Sequence, residues 1–184
     1  KEGEKRAKLS IRPYPSEYVK KEKLKSGEEI LIRPIRPEDE KLLVQFHKEL
    51  SEHSVRQRYF EFVSLDQRIA RERLIRICFN DFDREIAMVA EYPGTEGMLG
   101  VARISRVGGT SEGVLTMIIL DGWQGKGLGS KLLGSTIQTA KSEGVKKISS
   151  YILDENGGML HISEKAGFVL NQEGGDRIVH AVFE

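Results

Sequence analysis

The sequence has little cysteine and histidine. Cys78 is its single cysteine, so the chain cannot form an internal disulfide. The apolar residues around Cys78 predict a buried thiol with no nucleophilic role. The four histidines show no paired ligand spacing with one another or with Cys78. We therefore expect no metal site.

Long apolar runs are also missing. No segment approaches the roughly 20 apolar residues that a transmembrane helix requires, and the first six residues are too polar for a signal peptide. We therefore expect no membrane association and the cytoplasm as the compartment. With 39% hydrophobic and 31% charged residues, the composition is that of an ordinary globular domain.

The net charge of +1 is unevenly distributed along the chain. Residues 1–27 contain nine Lys or Arg, four Asp or Glu, few apolar residues, and the prolines Pro13 and Pro15. This composition predicts an extended or mobile linker. No basic stripe continues beyond it, so we favour a linker over a nucleic-acid-binding arm. The chain begins without methionine, which favours a trimmed product or a piece of a longer polypeptide whose folded domain is residues 28–184.

Apolar periodicity predicts a mixed α/β domain from Glu28 onward. Pro93-Gly94 and Gly108-Gly109 are turn signals between three consecutive strands, which favours an antiparallel meander. The predicted strands are 28–35, 85–92, 98–107, 113–121, 147–153, 168–170 and 178–183. The predicted helices are 38–50, 66–77, 125–143 and 156–166, with 51–65 irregular or short-helical. We expect a mostly antiparallel central sheet flanked by helices.

A glycine-rich turn, Gln124-Gly125-Lys126-Gly127-Leu128-Gly129-Ser130, connects the strand 113–121 to the helix 125–143. Glycines let backbone N–H groups approach an anion, and a helix N-terminus adds about half a positive charge. Lys126 adds a cation and Ser130 a hydroxyl. The turn is therefore a candidate pyrophosphate site, although the glycines alone would equally suit a loop that only turns a corner.

Two common phosphate-binding motifs do not fit this spacing. A P-loop needs Gly-Lys followed by Ser or Thr, which is absent, and a Rossmann motif is one residue longer than Gly125-x-Gly127-x-Gly129. The pattern Gln124-x-x-Gly127-x-Gly129 instead resembles the coenzyme A signature of the GNAT (N-acetyltransferase) superfamily, Arg/Gln-x-x-Gly-x-Gly/Ala. The order of the predicted elements is also similar to that of this family over residues 28–184.

The resemblance implies a GNAT fold, acetyl-CoA as cofactor and N-acetyltransferase activity. Asn156 and the later Ala166-Gly167-Phe168 resemble the family's Asn…Gly-Phe segment, which borders the pantetheine arm. The implied cofactor-binding residues are Ile118, Ile119, Leu120, Gln124, Gly125, Lys126, Gly127, Leu128, Gly129, Ser130 and Asn156. The resemblance implies no metal.

A narrower resemblance rests on Arg-Pro motifs. The stretches Ile11–Glu17 (Ile-Arg-Pro-Tyr-Pro-Ser-Glu) and Leu31–Asp39 (Leu-Ile-Arg-Pro-Ile-Arg-Pro-Glu-Asp) resemble the junction in bacterial proteins that fuse an acyl-CoA synthetase-like region to a C-terminal GNAT domain. Relatives of that type act as protein lysine acetyltransferases. The resemblance implies that residues 1–27 end a preceding synthetase-like region and that the acceptor is a protein lysine.

The side chains that usually catalyse this transfer have no counterpart here. A lysine ammonium must lose a proton before it attacks, and the glutamate that serves lysine-acetylating relatives is matched by Val114. The usual acid, a tyrosine, is matched by Ser163. Glu112 should lie on the same strand face as Val114, roughly 7 Å away, and is the candidate base. A solvated Glu112 and a helix-surface Ser163 without a role are equally consistent with the sequence.

Other polar residues are weaker candidates. His161 fits an exposed helix position better than an active site, and Trp123 is expected to pack under the glycine turn. Arg103 and Arg106 could recruit an acidic protein surface, although solvated edge charges are the simpler interpretation. Three functions stay open: a protein lysine acetyltransferase, an acetyl-CoA sensor with little turnover, and a small-amine acetyltransferase.

Overall fold

A computed structural model of the chain describes residues 12–95 and 97–184. It shows an eight-stranded sheet with the order β1-β2-β3-β4-β5-β6-β8-β7. The strands are β1 (Lys20–Lys23), β2 (Glu29–Pro34), β3 (Glu85–Glu91), β4 (Met98–Arg106), β5 (Glu112–Ile119), β6 (Lys147–Leu153), β7 (Val169–Asn171) and β8 (Ile178–Phe183). The helices are α1 (Glu40–Glu49), α2 (Glu52–Tyr59), α3 (Leu65–Arg68), α4 (Arg71–Cys78), α5 (Leu128–Ser142) and α6 (Gly157–Ala166). The first eleven residues of the predicted leader lie outside the described residues.

Strands β3, β4 and β5 form an antiparallel meander, as the turn signals predict, and β2 also pairs antiparallel with β3. The central residues of β3, from Ile86 to Ala90, are all buried. A strand that is covered on both faces reads as a continuous apolar run, which explains why β3 does not alternate. The fold is therefore the mixed, mostly antiparallel sheet with flanking helices that the sequence predicts.

Helices cover both faces of this sheet. On one face, α5 buries Leu128, Leu132 and Leu133 completely. On the other face, α1 and α4 bury Phe46 and Leu74. Full burial of each such side chain contributes about 1.5–3 kcal/mol. This packing holds α5 against the sheet and fixes its N-terminus beside the end of β5.

The sheet opens between β5 and β6. These strands are parallel and pair only from Glu112 to Leu115 of β5. Near the end of this ladder, the hydroxyl of Ser150 donates to the Leu115 carbonyl oxygen at 3.1 Å. Beyond Leu115, β5 stays paired with β4 as far as Ile119, whereas β6 follows β8. A gap therefore separates the last residues of β5 from β6.

Three predicted element boundaries differ from the structure. The predicted helix 66–77 is two helices, α3 and α4, because the backbone leaves helical geometry at Ala70, where ψ is 130°. The stretch 51–65 contains the regular helix α2. The helix predicted from Gly125 begins at Leu128, because the glycines before it have a left-handed backbone.

The described part of the leader contains an extended strand, as its composition predicts, but this strand belongs to the central sheet. β1 pairs antiparallel with β2, with Lys20 opposite Ile32. The Tyr18 hydroxyl donates to Glu143 Oε1 at 2.6 Å, and Arg12 Nη1 donates to Oε2 of the same carboxylate at 2.8 Å. The sheet therefore begins before residue 28. The assignment of residues 1–27 to the end of a preceding region stays a prediction.

Three further findings concern Cys78, membrane-spanning helices and metal-ligand groups. Cys78 is buried as predicted, and burial raises the pKa of its thiol to about 12. Over residues 12–95 and 97–184, no helix has both the length and the apolar character needed to cross a membrane. The same ranges contain no group of three or more His, Cys, Asp or Glu side chains that could hold a metal ion.

Candidate functional site

A cleft of about 360 Å³ lies at the gap between β5 and β6. The end of β5, the glycine loop before α5 and the first turns of α6 form most of its wall. Helix α2 and Lys25, which follows β1, complete it. Segments distant in the sequence therefore converge on the place where the sheet opens.

The glycine loop, Gln124–Ser130, forms one end of the cleft. Gly125 and Gly127 have φ angles of 73° and 89°, a region that residues with a Cβ rarely occupy. Gly129 has a different constraint, because a Cβ there would lie 3.1 Å from Cδ1 of Ile162 in α6. Two glycines therefore shape the loop, and the third lets α5 approach α6. The first N–H groups of α5 have no acceptor within the helix and are available to an anion.

A hydrogen-bond network ties this loop to α2. The Gln124 side chain donates from Nε2 to the Ile119 carbonyl oxygen at 2.9 Å and to Ser54 Oγ at 3.0 Å. Ser54 Oγ in turn donates to Asp121 at 3.1 Å, and Ser51 donates to the same carboxylate. Partial burial opposes ionisation of Asp121, but the hydrogen bonds from Ser51 and Ser54 outweigh it and lower its pKa. The network therefore keeps a negative charge that orients the loop.

The backbone of β5 presents free groups to the gap. The carbonyl oxygens of Leu115 and Ile119 accept from Ser150 and Gln124, so both face the β6 side. Successive strand residues turn their backbone groups to opposite edges, so those of Met117 face the same side. The ladder to β6 has already ended there. The Met117 N–H is therefore available to a ligand in the cleft.

Helix α6 forms the opposite wall. Asn156 caps this helix, because its Oδ1 accepts from the Met159 N–H at 3.2 Å. His161, Ile162 and Lys165 follow at helical spacing on the face that borders the cleft. This wall combines apolar surface with an imidazole and an ammonium group.

Eight of the eleven predicted cofactor residues line this cleft, and three do not. Leu120 is 8% exposed and belongs to the core that α1 and α4 cover, whereas Leu128 is 0% exposed and belongs to the core beside α5. The Lys126 ammonium lies 4.8 Å from the centre of the Trp123 ring and 3.7 Å from the Glu28 carboxylate, and Lys126 is not part of the cleft lining. The lining residues are Ile118, Ile119, Gln124, Gly125, Gly127, Gly129, Ser130 and Asn156.

The two predicted catalytic side chains lie apart from the cleft. Glu112 is at the start of β5, about 16 Å along the strand from Met117, and its carboxylate lies 3.7 Å from the Lys147 ammonium. Ser163 is completely buried, and its Oγ has no hydrogen-bond partner. Ser163 is thus not a surface residue, and the placement of Glu112 argues against a direct role as base.

The sequence patterns missed several residues of the cleft. Lys25 belongs to the segment predicted as a linker, and no sequence signal indicates its position. Gln57 and Arg58 lie on α2, and this helix was not predicted as a regular helix because its sequence has no clear apolar face. Lys165 could have been found, because it lies four residues after His161 and therefore on the same helix face.

The arginines proposed to recruit an acidic protein are engaged inside the domain. Arg103 forms two hydrogen bonds to the Glu85 carboxylate, at 2.6 and 2.7 Å. Arg106 donates to the carbonyl oxygens of Phe82 and Glu143. Neither guanidinium group is a free surface charge.

Comparison with known proteins identifies similar domains. The chain is 28% identical over 155 residues to Acetyltransferase Pat of Mycolicibacterium smegmatis, covering 82% of this chain and 44% of that protein. It therefore spans less than half the length of this curated relative. Among solved structures, the GNAT domain of PAT from S. lividans superposes with a TM-score of 0.84 at 23% identity, covering 93% of this chain and 99% of that one.

A second similar structure has been solved with a bound ligand. It is the PaiA N-acetyltransferase of Thermoplasma acidophilum in complex with coenzyme A, with a TM-score of 0.67 at 16% identity, covering 84% of this chain and 98% of that one. At these identities the two structures show the fold alone. The family model for the acetyltransferase (GNAT) domain matches residues 29–169, most of the chain. The chain belongs to the GNAT acetyltransferase family.

Proposed function

We propose that this domain is an acetyl-CoA-dependent N-acetyltransferase whose acceptor is a lysine side chain of a protein. The observation that carries the proposal is the position of the glycine loop at one end of a cleft that opens between β5 and β6. One site thereby offers phosphate-binding N–H groups and unpaired strand backbone. When bound, acetyl-CoA supplies an acyl group activated as a thioester.

The phosphate end of the cofactor fits the glycine loop. Gly125 and Gly127 allow the backbone to approach an anion closely, and the N-terminus of α5 adds positive potential. Lys25 and Lys165 place ammonium groups on the wall of the same cleft. We assign these two lysines to the cofactor's phosphates.

The acyl end fits the gap between the strands. The Met117 N–H faces this gap and can donate to the carbonyl oxygen of a thioester, where negative charge develops during attack by an amine. Asn156 uses Oδ1 to cap α6, which leaves its amide N–H groups for the pantetheine arm. If the pantetheine arm binds along β5, it can form hydrogen bonds with the backbone groups of β5 that are no longer paired with β6.

The proton of the acceptor amine needs another destination than Glu112. No carboxylate lines the cleft among the residues that the structure describes. His161 lines it and supplies an imidazole, and we assign the proton to water in the cleft, with His161 as its acceptor. The missing carboxylate also supports a second candidate, an acetyl-CoA sensor with little turnover that regulates a fused synthetase-like region.

Calorimetric titration with acetyl-CoA tests the cofactor assignment. We expect Gly127→Glu to abolish binding, because it places a carboxylate where the phosphates lie. Gly134→Glu is the matched control: it adds the same charge to α5, at an exposed position with no heavy atom within 4 Å. Equal binding by both variants and the unmodified chain would contradict the site, and thermal melting of each variant verifies the fold.

A thiol-release assay then separates the functions. Thiol release from acetyl-CoA on addition of lysine-bearing proteins, but not of small amines such as spermidine, supports the protein lysine acetyltransferase. Release with small amines alone would identify a small-amine enzyme. Tight binding without release from any acceptor would favour the sensor.

A further inference from the structure

A second, smaller chamber lies on the other face of β5. It measures about 20 Å³ and is bordered by α1, α2 and α4 as well as by the strands. Thr116 lines it beside the point where β5 and β6 diverge. Ile118 and Arg58 border both this chamber and the cofactor cleft. The chamber is therefore next to the acyl end of the proposed cofactor site.

Three arginine side chains supply the charge in the chamber's otherwise mostly apolar wall. Arg58, Arg73 and Arg103 line it, and Arg68 donates to the carbonyl oxygen of His47, another lining residue, at 2.8 Å. Glu85 is the carboxylate that faces this group, and Arg103 holds both of its oxygens. Within the described part of the chain, the chamber therefore has more cations than counter-charges.

Two of these guanidinium groups, those of Arg58 and Arg73, form no ion pair within 4 Å with a carboxylate among the described residues. Arg58 lies over the Tyr59 ring at 4.6 Å, and Arg73 lies 5.2 Å from the same ring and donates to the Tyr59 hydroxyl at 2.7 Å. The Nε of Arg73 is buried without a hydrogen-bond partner. Burial of an unpaired charge is costly. The tyrosine ring orients both groups, but it leaves most of their hydrogen-bonding capacity unused.

The positive field of the chamber also acts on its histidine. Burial, and then the neighbouring Arg68, Arg73, Arg58 and Arg103, lower the pKa of His47 to about 4. Burial also lowers the pKa of Arg58, to about 10. Near neutral pH, His47 is therefore uncharged while Arg58 stays cationic, and the surplus positive charge belongs to the arginines.

We infer that this chamber binds a carboxylate next to the reacting thioester, so that the domain transfers, besides acetyl, an acyl group with a carboxylate at its far end, such as succinyl. This inference rests on the proposed cofactor site and extends its acyl groups beyond acetyl. Guanidinium groups bind carboxylates through paired, charge-assisted hydrogen bonds. The chamber is far too small for a peptide and can admit only the end of a short chain, and its cations would repel an acceptor ammonium.

The reaction keeps the chemistry of acyl transfer. The neutral acceptor nitrogen forms a bond to the thioester carbonyl carbon, and the carbon–sulfur bond breaks. The coenzyme A thiolate leaves with the bonding electron pair, and a proton from the amine restores its thiol. The distant carboxylate takes no part in bond formation and serves only to anchor the acyl chain.

Calorimetry with two thioesters of equal chain length tests the inference. We expect succinyl-CoA to bind about tenfold more tightly than butyryl-CoA, which has a methyl group where succinyl has a carboxylate. In Arg58→Gln and in Arg73→Gln this ratio should fall towards one. Arg56→Gln is the control on α2, because the Arg56 side chain is 53% exposed and lines neither cavity; it should keep the ratio of the unmodified chain.

An acceptor assay and a charge-preserving variant complete the test. A second assay uses acetyl-CoA and compares acceptor peptides that contain Glu-Lys or Gln-Lys. The inference is overturned if the unmodified chain binds succinyl-CoA and butyryl-CoA equally well and acetylates both peptides equally well. A preference for Glu-Lys that Arg73→Gln removes would place the bound carboxylate in the acceptor instead. If one of the two glutamine variants does not fold, the affinity ratio is measured in the other one and in Arg58→Lys, which keeps the positive charge. No binding of free coenzyme A by the unmodified chain would contradict the proposed function itself.

Discussion

Gln124 and Ser54 join two elements that lie far apart in the sequence, with Nε2 of the glutamine 3.0 Å from Oγ of the serine. Gln124 opens the glycine loop and Ser54 is buried on α2. The Ser54 hydroxyl also donates a hydrogen bond to Asp121, which lies between β5 and the loop. Gln124 thus fixes the position of the glycine loop and also lines the cleft.

We expect Ser54→Ala to weaken coenzyme A binding about fivefold while the fold persists. The change removes one hydrogen bond each to Gln124 and Asp121, at a cost of about 1 kcal/mol, and leaves the loop less well oriented. Calorimetry with coenzyme A measures the effect. Ser142→Ala, at the exposed C-terminal end of α5 and outside the cleft lining, is the control, and an equal loss in both variants would contradict the role of the network.

Glycine substitutions should separate loop shape from helix contact. Gly127→Ala forces a Cβ into left-handed backbone, at a cost of about 1–2 kcal/mol, and should lower both stability and coenzyme A affinity. Gly129→Ala should lower stability because Ile162 must move. Gly134→Ala is the matched control in the same helix, where added Cβ meets nothing within 4 Å, and should stabilise by about 0.5–1 kcal/mol. Chemical denaturation measures all three, and equal effects would refute this distinction.

The fold was accessible from the sequence wherever local pattern and tertiary packing agree. The meander of β3 to β5 follows from glycine turns between apolar runs, and α5 from its apolar face with Gly144 after its end. β1 was missed because Lys20–Lys23 is an edge strand with the charged sequence Lys-Lys-Glu-Lys, and no apolar pattern marks it. Its order comes from pairing with β2 and from contacts to α5, which only the folded chain brings together.

The site was accessible in part for the same reason. The glycine loop is continuous in sequence, so its motif is readable, whereas the cleft also needs α2 and the residue after β1. Glu112 was misplaced because strand periodicity gives the face of a side chain but not its position along the sheet relative to an opening. The divergence of β5 and β6 after Leu115 sets that position, and it is a property of strand pairing.

Lys25 should contribute to cofactor affinity through charge alone. Lys25→Ala removes an exposed ammonium group from the cleft wall, and we expect coenzyme A to bind a few-fold more weakly at low salt, with a smaller effect at high salt. Lys23→Ala is the matched control, since Lys23 is an exposed lysine of the adjacent strand that does not line the cleft. A salt-independent loss, or equal losses in both variants, would count against a phosphate contact.

Glu143 anchors the leader to α5, and its contribution to stability should depend on pH. The hydrogen bond from Arg12, opposed by burial and supported by Tyr18, lowers its pKa below the ordinary value of 4.5. The stabilisation is therefore fully present above that ordinary value and is lost as the pH falls through the lowered folded-state pKa. Glu143→Gln mimics the protonated form.

The melting temperature of Glu143→Gln should lie about 2–4 °C below that of the unmodified chain at pH 7, for a loss of about 1 kcal/mol. The difference should shrink as both are acidified to about pH 3, because protonation then removes the same charge from the unmodified chain. Glu17→Gln is the control, since the Glu17 side chain is 60% exposed and lies 3.8 Å from Arg12, and it should change the melting temperature little at either pH. A difference that stays constant between pH 7 and pH 3 would show that Glu143 holds the leader through shape rather than through charge.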